Sequence, residues 1–305
     1  MMQKADWAGV LPAITTPFTD DGGVDEQFLA EHVVWLVDDG CRGIVALGSL
    51  GEGATLSYAE KVRVLEVCRA ALGTRAPLVA GVSGLGTGEC VELARAAEDA
   101  GCDGLMVLPP YVYRGDWPET RAHFSAVIGA TALSCMLYNN PIAYGTDLSP
   151  VQVDELAREH DNVHALKDSS GDVRRLTALR EQLGDRLRLF AGLDDMVMEA
   201  VLMGADGWIA GLVNAYPAES VRLFEAARDG RVAEAWRLYE WFLPLLRFDT
   251  VPKFVQLIKL VQASVGRGSE RVRAPRLPLT GAEREAALAA IETARRTRHQ
   301  ISVSA

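Results

Sequence analysis

The chain alternates short runs of apolar residues with longer segments in which apolar residues recur at helical spacing. Eight such runs follow one another at intervals of about 25 to 35 residues. They read GVLPAITTPF, GIVALGS, PLVAGVS, GLMVLPP, LSCMLYNN, VHALKDS, LRLFAGL and GWIAGLV. Nearly continuous apolar runs are typical of parallel strands that are covered on both faces. The segments between them predict helices, with N-caps such as Ser57, Thr87 and Ser149.

Eight strand–helix units favour an α/β fold of the (β/α)8 TIM barrel type, with a doubly wound sheet as the alternative. Beyond the eighth helix, further helical segments are predicted near 231–248, 252–265 and 281–298. We therefore predict a catalytic barrel over residues 1–228 and a C-terminal helical subdomain over residues 229–305.

Charge and composition narrow the class of partner. The 305 residues carry a formal net charge of -10, and basic residues do not cluster with aromatic ones. Nucleic acid and anionic membrane surfaces attract positive patches, so we predict neither as a partner. The N-terminus lacks the apolar run of a signal peptide, and no run approaches the roughly 18 residues that span a bilayer. These features predict a cytoplasmic protein with a small-molecule partner.

The cysteines and histidines do not form metal or disulfide motifs. The five cysteines include no C-x-x-C pair and are interpreted as buried small hydrophobes. The five histidines are scattered outside any H-E-x-x-H or H-x-E pattern, and His164 is interpreted as structural. Neither a Walker A sequence nor G-x-G-x-x-G occurs. We predict no metal and no nucleotide cofactor.

Lys167 ends the sixth run in a chain that has only five lysines. In a barrel, the active site lies at the C-terminal ends of the strands. Lys167 shares strand parity with Ala165, so both point into the barrel if the small alanine does. Burial disfavours the ammonium, lowers its pKa and leaves an amine that can attack a carbonyl or imine carbon. An ion pair with Asp168 at the barrel rim is the alternative.

Three other strand ends carry polar residues. GSLGE, at residues 48–52, brings backbone N–H groups and the Ser49 hydroxyl to a site that suits a carboxylate, unless it is a plain glycine turn. Tyr138 closes the strand next to Lys167, where a phenol is suited to carry protons, with core packing as the alternative. Asp194 and Asp195 are interpreted as the cap and first turn of the next helix.

G-x-x-G-E after the second strand, Y-N-x-P after the fifth and a lysine followed by D-S-S after the sixth together resemble the dihydrodipicolinate synthase and N-acetylneuraminate lyase family. The resemblance implies a class I, Schiff-base mechanism without metal or organic cofactor. It implies that Lys167 forms the imine with a 2-oxo acid, that Tyr138 transfers protons, and that Ser49 acts with the backbone of Leu50 on the carboxylate. The predicted substrate-binding set is Gly48, Leu50, Ala143, Gly192 and the carbonyl of Ile209.

Departures from the family pattern narrow the activity. Ala143 stands where the family's synthases carry an arginine for a second carboxylate, and Leu50 replaces a hydroxyl residue. Val112 stands where the synthases lend a tyrosine to a neighbouring subunit. YNNPIAYG, GSLGE, DTVPKFVQLIKL and GSERVRAPRLPL resemble the branch that acts on 1-pyrroline-4-hydroxy-2-carboxylate. Leu50, Ile142 and Ala143 are predicted to form an apolar wall opposite the carboxylate site.

We therefore predict a Schiff-base lyase or deaminase acting on a 2-oxo acid or cyclic imino acid. The first hypothesis is 1-pyrroline-4-hydroxy-2-carboxylate deaminase, which releases ammonia and gives 2,5-dioxopentanoate. The alternatives are an aldolase or dehydratase of pyruvate or 2-keto-3-deoxy sugar acids, 4-hydroxy-tetrahydrodipicolinate synthase, and a barrel that binds a 2-oxo acid without turnover. The resemblance implies a homotetramer, with a dimer as the alternative.

Overall fold

Eight parallel strands form one sheet in the computed structural model, which describes residues 2–301. The strands are β1 (Gly9–Pro12), β2 (Ile44–Ala46), β3 (Leu78–Val82), β4 (Gly104–Val107), β5 (Ser134–Asn139), β6 (Val163–Asp168), β7 (Arg188–Ala191) and β8 (Gly207–Ala210). Their order is β1-β8-β7-β6-β5-β4-β3-β2. The backbone N–H of Ile14 donates to the carbonyl of Val45 at 2.9 Å and brings the first strand against the second. The predicted (β/α)8 TIM barrel is confirmed, and the doubly wound alternative is wrong.

Helices follow the strands around the barrel and continue beyond it. They are α1 (Glu26–Asp38), α2 (Tyr58–Leu72), α3 (Thr87–Asp99), α4 (Trp117–Ile128), α5 (Pro141–Tyr144), α6 (Pro150–Glu159), α7 (Arg174–Leu183), α8 (Val197–Leu202), α9 (Pro217–Arg228), α10 (Val232–Leu246), α11 (Phe254–Ser264) and α12 (Gly281–Thr297). The last three confirm the helical segments predicted after the barrel. None of the helices within residues 2–301 combines the length and the apolar character that crossing a bilayer requires.

Two of the three predicted N-caps are confirmed and one is wrong. The hydroxyls of Ser57 and Ser149 each accept a hydrogen bond from a backbone N–H of the first helical turn, as expected. Thr87 is not a cap, because α3 begins at Thr87 itself and Gly86 occupies the cap position. The Thr87 hydroxyl instead bonds Nδ1 of His123 at 3.0 Å, which ties α3 to α4.

The C-terminal helices contact the barrel at the end where the strands finish. α10 packs against α9, and α12 packs against α10. From α11, the ammonium of Lys259 reaches the barrel and donates to the carbonyl of Thr16 at 2.8 Å. The catalytic end of the barrel is therefore partly built by residues that follow it in the chain. The domain boundary at 228/229 stays a prediction.

All five cysteines are buried free thiols. Burial raises the pKa of Cys90 to about 11 and that of Cys102 to about 12, so these thiols stay protonated at neutral pH. The interpretation of the cysteines as small hydrophobes is confirmed.

Candidate active site

Lys167 and Tyr138 lie side by side at the C-terminal ends of β6 and β5. They are partners in the strand register, and Nζ of Lys167 lies 4.2 Å from the centroid of the tyrosine ring. Each residue is only 6% exposed. The Tyr138 hydroxyl accepts a hydrogen bond from Nδ2 of Asn140 at 3.0 Å. The structure thus brings the two residues together, as the adjacency of the fifth and sixth strands predicted, with a buried amine against a phenol ring.

Lys167 does not form the rim ion pair that was the alternative. Asp168 accepts hydrogen bonds from Nδ2 of Asn139 at 2.9 Å and from the backbone N–H of Ser170 at 3.0 Å, and Nε of Arg175 lies 3.6 Å away. Among residues 2–301, no carboxylate lies within ion-pair distance of Lys167. The amine is therefore buried without a salt-bridge partner to hold it.

Lys259 is buried as well, but its ammonium is fully engaged. It donates to Glu52 at 2.6 Å and to the carbonyls of Thr16 and Arg271 at 2.8 and 2.7 Å. Burial lowers the pKa of Lys259 to about 8, against the opposing attraction of Glu52. Glu52 also accepts from the backbone N–H of Arg273 at 2.9 Å. Lys259 therefore braces the GSLGE loop on the C-terminal segment and is not free for chemistry.

The GSLGE loop is tightly wound and leaves donors available. Glu52 adopts a left-handed conformation with φ 54°, and a Cβ at Gly53 would stand 2.3 Å from the carbonyl oxygen of Leu47. The backbone N–H groups of Ser49 and Leu50 donate to no other group in the described part of the chain. Unsatisfied buried donors are costly unless a ligand or water accepts from them. Their lack of acceptors within the described residues supports the predicted carboxylate site.

Tyr144 is the site residue that the sequence analysis missed. Its hydroxyl is hydrogen-bonded to the Ser49 hydroxyl, and its ring meets Tyr138 edge-on at 5.9 Å and Tyr111 at 5.3 Å. Burial raises the pKa of Tyr144 far above its ordinary value, and the two neighbouring tyrosines add to this effect. The sequence signal for this role was that a tyrosine follows the proline of Y-N-x-P by three positions. In the structure that tyrosine is the last residue of the short helix α5.

Gly192 is required by the space beside Lys167. A Cβ at this position would stand 2.1 Å from Oγ of Ser169 and 2.9 Å from Cε of Lys167. The Ser169 hydroxyl is 1% exposed and has no hydrogen-bond partner within residues 2–301. The predicted Gly192 thus borders the amine, together with an unengaged hydroxyl. Ile209 is buried in β8, and the role of its carbonyl stays a prediction.

The predicted apolar wall is not closed within one chain. Leu50 is buried, but Ile142 is 70% exposed on α5 and its neighbour Ala143 is exposed too. Val112 is 88% exposed and has φ 68°, an unusual conformation for a β-branched residue. A wall that includes α5 would need either the substrate or another surface to cover it.

Asp194 departs from its predicted role, whereas Asp195 lies in the first turn as predicted. The Asp194 side chain does not cap a helix. It is fully buried and accepts from Nε1 of Trp208 at 3.0 Å and from the backbone N–H groups of Gly211 and Leu212 at 3.1 and 2.7 Å. Burial raises the pKa of Asp194 to about 6, while these three donors and Lys167 favour its charged form.

His164 is structural, as predicted. Its Nδ1 forms a hydrogen bond of 2.7 Å with the hydroxyl of Ser134 and takes no part in the contacts of Lys167. In the part of the chain that the structure describes, no three His, Cys, Asp or Glu side chains are grouped closely enough to hold a metal ion. The arrangement as a whole offers a buried amine, a phenol with a hydroxyl pair nearby, and two backbone N–H groups that donate to no group within residues 2–301.

Comparison with known proteins agrees with this geometry. The profile of the dihydrodipicolinate synthetase family matches residues 6–294. A 4-hydroxy-tetrahydrodipicolinate synthase of Agrobacterium fabrum is 34% identical over 284 residues, which are 92% of this chain and 97% of that protein. An uncharacterized DapA-like lyase of Pyrobaculum islandicum is 36% identical over 79% of each chain.

Solved structures of the same kind superpose closely. A putative dihydrodipicolinate synthetase from Pseudomonas aeruginosa has a TM-score of 0.89 at 33% identity, and the match covers 94% of this chain and 99% of that one. YagE of E. coli K12, a prophage protein of the dihydrodipicolinic acid synthase family solved with pyruvate, has a TM-score of 0.89 at 29% identity, covering 95% and 99%. The chain therefore belongs to the dihydrodipicolinate synthetase family and is a lyase of the class I aldolase type.

Proposed function

We propose that this enzyme is a Schiff-base-forming deaminase that converts 1-pyrroline-4-hydroxy-2-carboxylate to 2,5-dioxopentanoate and ammonia. The observation that carries the proposal is the charge pattern around Lys167. The loop that contains Ser49 and Leu50 supplies one anion site. Position 143 is an alanine and supplies no second cation. On the side of β7 and β8, the Asp194 carboxyl group disfavours a second anion. A substrate with one carboxylate and a distal hydroxyl suits this pattern better than a dicarboxylate does.

In this proposal, Lys167 is the nucleophile. Its amine attacks C2 of the cyclic imine, and transimination breaks the bond between C2 and the ring nitrogen, so that the substrate becomes an open chain with a free amine at C5. The substrate carboxylate accepts from the Ser49 hydroxyl and from the N–H groups of Ser49 and Leu50. This contact positions C2 next to the lysine amine and keeps the substrate carboxylate away from the Asp194 carboxyl group.

Tyr138 is the proton carrier next to the imine. Its ring lies against the amine, and its hydroxyl is oriented by Asn140. Proton transfer by a positioned phenol assists formation of the imine and removal of the C3 proton that yields the enamine. The protonated imine takes up the electron pair released at C3, which is the step that makes the later chemistry accessible.

Ser49 and Tyr144 form a second pair of hydroxyls beside Tyr138, within one chain. Their hydroxyls are bonded to each other, and the Tyr144 ring contacts Tyr138. Because its pKa is raised, Tyr144 passes a proton through its hydrogen bond and does not ionise. A tyrosine from the same chain thus stands beside Ser49, although Val112 replaces the one that the family's synthases lend to a neighbour. We propose a homotetramer, with a dimer as the alternative, and light scattering distinguishes them.

Loss of the 4-hydroxyl as water and tautomerisation then move the unsaturation to C5. One water hydrolyses the C5 imine and releases ammonia, and a second hydrolyses the lysine imine and frees the product. One water is lost and two are consumed, so the net reaction takes up one water. Lys167, Tyr138 and the Ser49 loop account for the imine, the proton transfer and the carboxylate contact. The departing hydroxyl needs an acid in addition.

Synthase activity is the second candidate, because relatives at 33–34% identity carry the name 4-hydroxy-tetrahydrodipicolinate synthase. The observation in its favour is Arg114, whose guanidinium packs over Gly145 at the end of α5. An arginine there is near enough to α5 to take over the role of the residue missing at Ala143. Aldol cleavage that releases pyruvate remains the third candidate.

Borohydride trapping tests the common chemistry of these candidates. Reduction in the presence of pyruvate or the pyrroline is expected to leave a covalent adduct on the Lys167 peptide, read by mass spectrometry. Lys167→Ala is expected to give none, whereas Lys253→Ala, which removes an exposed lysine paired with Glu283, is expected to label as the wild type does. A wild type that forms no adduct with any 2-oxo acid would leave only the non-catalytic binding barrel.

Product analysis separates the candidates. The deaminase predicts ammonia from the pyrroline, the aldolase predicts pyruvate from sugar acids, and the synthase predicts 4-hydroxy-tetrahydrodipicolinate. Adduct formation without ammonia release would reject the deaminase while keeping the lysine mechanism. Introducing an arginine by Ala143→Arg is expected to lower ammonia release, because it places a cation in the apolar wall opposite the anion site.

A further inference from the structure

Two carboxyl groups from distant parts of the chain meet at Gly211, directly after β8. Asp194 accepts the N–H of Gly211 at 3.1 Å. Asp249 approaches the same residue so closely that a Cβ on Gly211 would stand 2.1 Å from its Oδ1 and 2.6 Å from its Cγ. Asp249 belongs to the short 3-10 turn Arg247–Thr250 between α10 and α11. The C-terminal helices therefore deliver a carboxyl group onto the catalytic end of the barrel, and only glycine leaves room for it.

The two carboxyl groups differ in what surrounds them. Asp194 takes three N–H donors, from Trp208, Gly211 and Leu212, which stabilise a negative charge. Asp249 accepts no hydrogen bond from any group within residues 2–301 and shares its surroundings with the Asp194 charge. Two carboxylates at one site cannot both ionise easily, so the proton belongs on the one without donors.

The electrostatics of Asp249 point the same way. Burial, the Asp194 carboxylate and the Asp195 carboxylate all raise the pKa of Asp249 well above its ordinary value, and only Lys167 opposes them. These groups come from the β7–α8 connection and from β6, the elements whose charges act on Asp249. These effects favour the neutral, protonated form of a carboxyl group at the end of the barrel where the strands finish.

We propose that Asp249 is the acid that protonates the substrate's hydroxyl as it leaves the lysine-bound intermediate, an inference that rests on the proposed deaminase function. In the enamine, the electron pair between C2 and C3 forms the new C3–C4 double bond, and the lysine imine is restored. The C4–O bond breaks, its electron pair stays on oxygen, and the Asp249 proton completes a water molecule.

The location of Asp249 suits this step. The carboxylate end of the substrate is held on the side of Ser49, so C4 extends away from it toward the ends of β7 and β8. Asp194 is unavailable because its oxygens are occupied by three donors. Asp249 is largely buried but keeps some solvent exposure, through which it regains a proton between turnovers. Elimination of hydroxide without an acid is slow, which is why an acid at this position is required.

The test compares two leaving groups in Asp249→Asn. The amide keeps the size and can still donate a hydrogen bond, but it cannot transfer a proton. Ammonia release from the 4-hydroxy substrate is expected to fall about 100-fold or more. With the 4-fluoro analogue, whose leaving fluoride needs no proton, the loss is expected to stay within a few-fold. Asp185→Asn, a change at an exposed acid before β7, is the matched control and is expected to process both substrates normally.

Trapping adds a second readout in the same variant. Reduction during turnover is expected to accumulate a Lys167 adduct that still carries the hydroxyl and is heavier by one water than the dehydrated adduct. Equal losses on the hydroxy and fluoro substrates would show a structural role and overturn the proposal. So would an Asp249→Asn enzyme that releases ammonia at the wild-type rate.

The wild type provides a test that needs no variant. Its rate on the 4-hydroxy substrate is expected to fall at high pH as Asp249 loses its proton, whereas the rate on the fluoro analogue is not. Identical pH profiles for the two substrates would contradict the proposal even if Asp249→Asn fails to fold. Absence of ammonia release from wild-type enzyme would instead reject the deaminase function itself, so the two failures are distinguishable.

Discussion

Nζ of Lys167 lies 4.2 Å from the centroid of the Tyr138 ring, and the two residues are register partners on β6 and β5. The contact places an amine and a phenol in one buried position, and no carboxylate of residues 2–301 forms an ion pair with the amine. A cation over an aromatic face is stabilised by the ring quadrupole, so the ring orients the amine when it is charged. The hydroxyl of the same ring is then near the bond that the amine forms.

Removing this hydroxyl separates orientation from proton transfer. Tyr138→Phe keeps the ring beside Lys167 but removes the proton carrier, so turnover is expected to fall about 10²- to 10⁴-fold while the adduct still forms, more slowly. Borohydride added at a series of times measures the rate of adduct formation, and a steady-state assay measures turnover. Tyr58→Phe, at a half-exposed tyrosine on α2, is the control. Unchanged turnover in Tyr138→Phe would remove the phenol from the mechanism.

The Ser49 and Tyr144 pair predicts a shared defect. Tyr144→Phe and Ser49→Ala each interrupt the same hydrogen bond, so each is expected to reduce kcat at least about 10-fold. The double variant is expected to be little worse than the poorer single variant, because groups acting as a unit are not additive. Tyr113→Phe, which removes a hydroxyl bonded to Glu119 at the surface, is the control. Independent, multiplicative losses would show that the two hydroxyls act separately.

The space at Gly192 predicts a steric effect on the amine. Gly192→Ala introduces a Cβ into the 2.1 Å gap to Oγ of Ser169 and the 2.9 Å gap to Cε of Lys167. The expected cost is about 1–3 kcal/mol of unfolding free energy, with a larger proportional loss of adduct formation. Gly88→Ala is the matched control, because no atom of residues 2–301 lies within 4 Å of its Cβ position in α3. We expect that change to stabilise the protein by up to about 1 kcal/mol.

The buried Glu52–Lys259 pair predicts a strong dependence on both partners. Glu52→Gln leaves the Lys259 ammonium buried without its counter-charge and is expected to cost about 3–5 kcal/mol of unfolding free energy. Glu89→Gln removes the half-exposed partner of Lys61, at 3.4 Å, and is expected to cost under about 1 kcal/mol. The double change Glu52→Gln with Lys259→Met is expected to recover most of the loss in chemical denaturation. Equal costs for the two single changes would refute the bracing role of this pair.

His32 predicts how stability depends on pH. Burial lowers its pKa from 6.5 to about 4, although a 3.0 Å contact of Nε2 with Asn214 opposes the shift. Between these values the unfolded chain binds the proton and the folded chain does not, so stability is complete above pH 6.5 and is lost as the pH falls toward 4. The expected loss is about 3 kcal/mol.

Denaturant titrations across this pH range measure the effect. His32→Gln cannot titrate and is expected to show a slope smaller by this amount. His299→Gln, at an exposed histidine near the C-terminus, is expected to keep the wild-type slope. A His32→Gln protein that loses stability in acid exactly as the wild type does would assign the effect to other groups.

The barrel and the heart of the site follow from local patterns in the sequence. Apolar runs at regular intervals predicted the eight strands, because buried parallel strands have little choice of composition. The order of the strands predicted that Lys167 and Tyr138 would be neighbours, because consecutive strands of a barrel lie side by side and their ends share one face. Both inferences depend only on the composition of each short run and on the order of the runs along the chain.

Other contacts were decided by tertiary structure alone. The bond of Tyr144 to Ser49, the approach of Asp249 to Gly211 and the ion pair of Lys259 with Glu52 each join residues from separate elements. Asp194 likewise looked like a helix cap, yet the β8 loop supplied better donors. The periodicity of apolar residues predicts which face of a helix or strand is buried. It does not predict which distant segment of the chain packs against that face. Those contacts exist because the C-terminal helices and α5 pack onto the open end of the barrel, and that packing is set by the shape of the whole core.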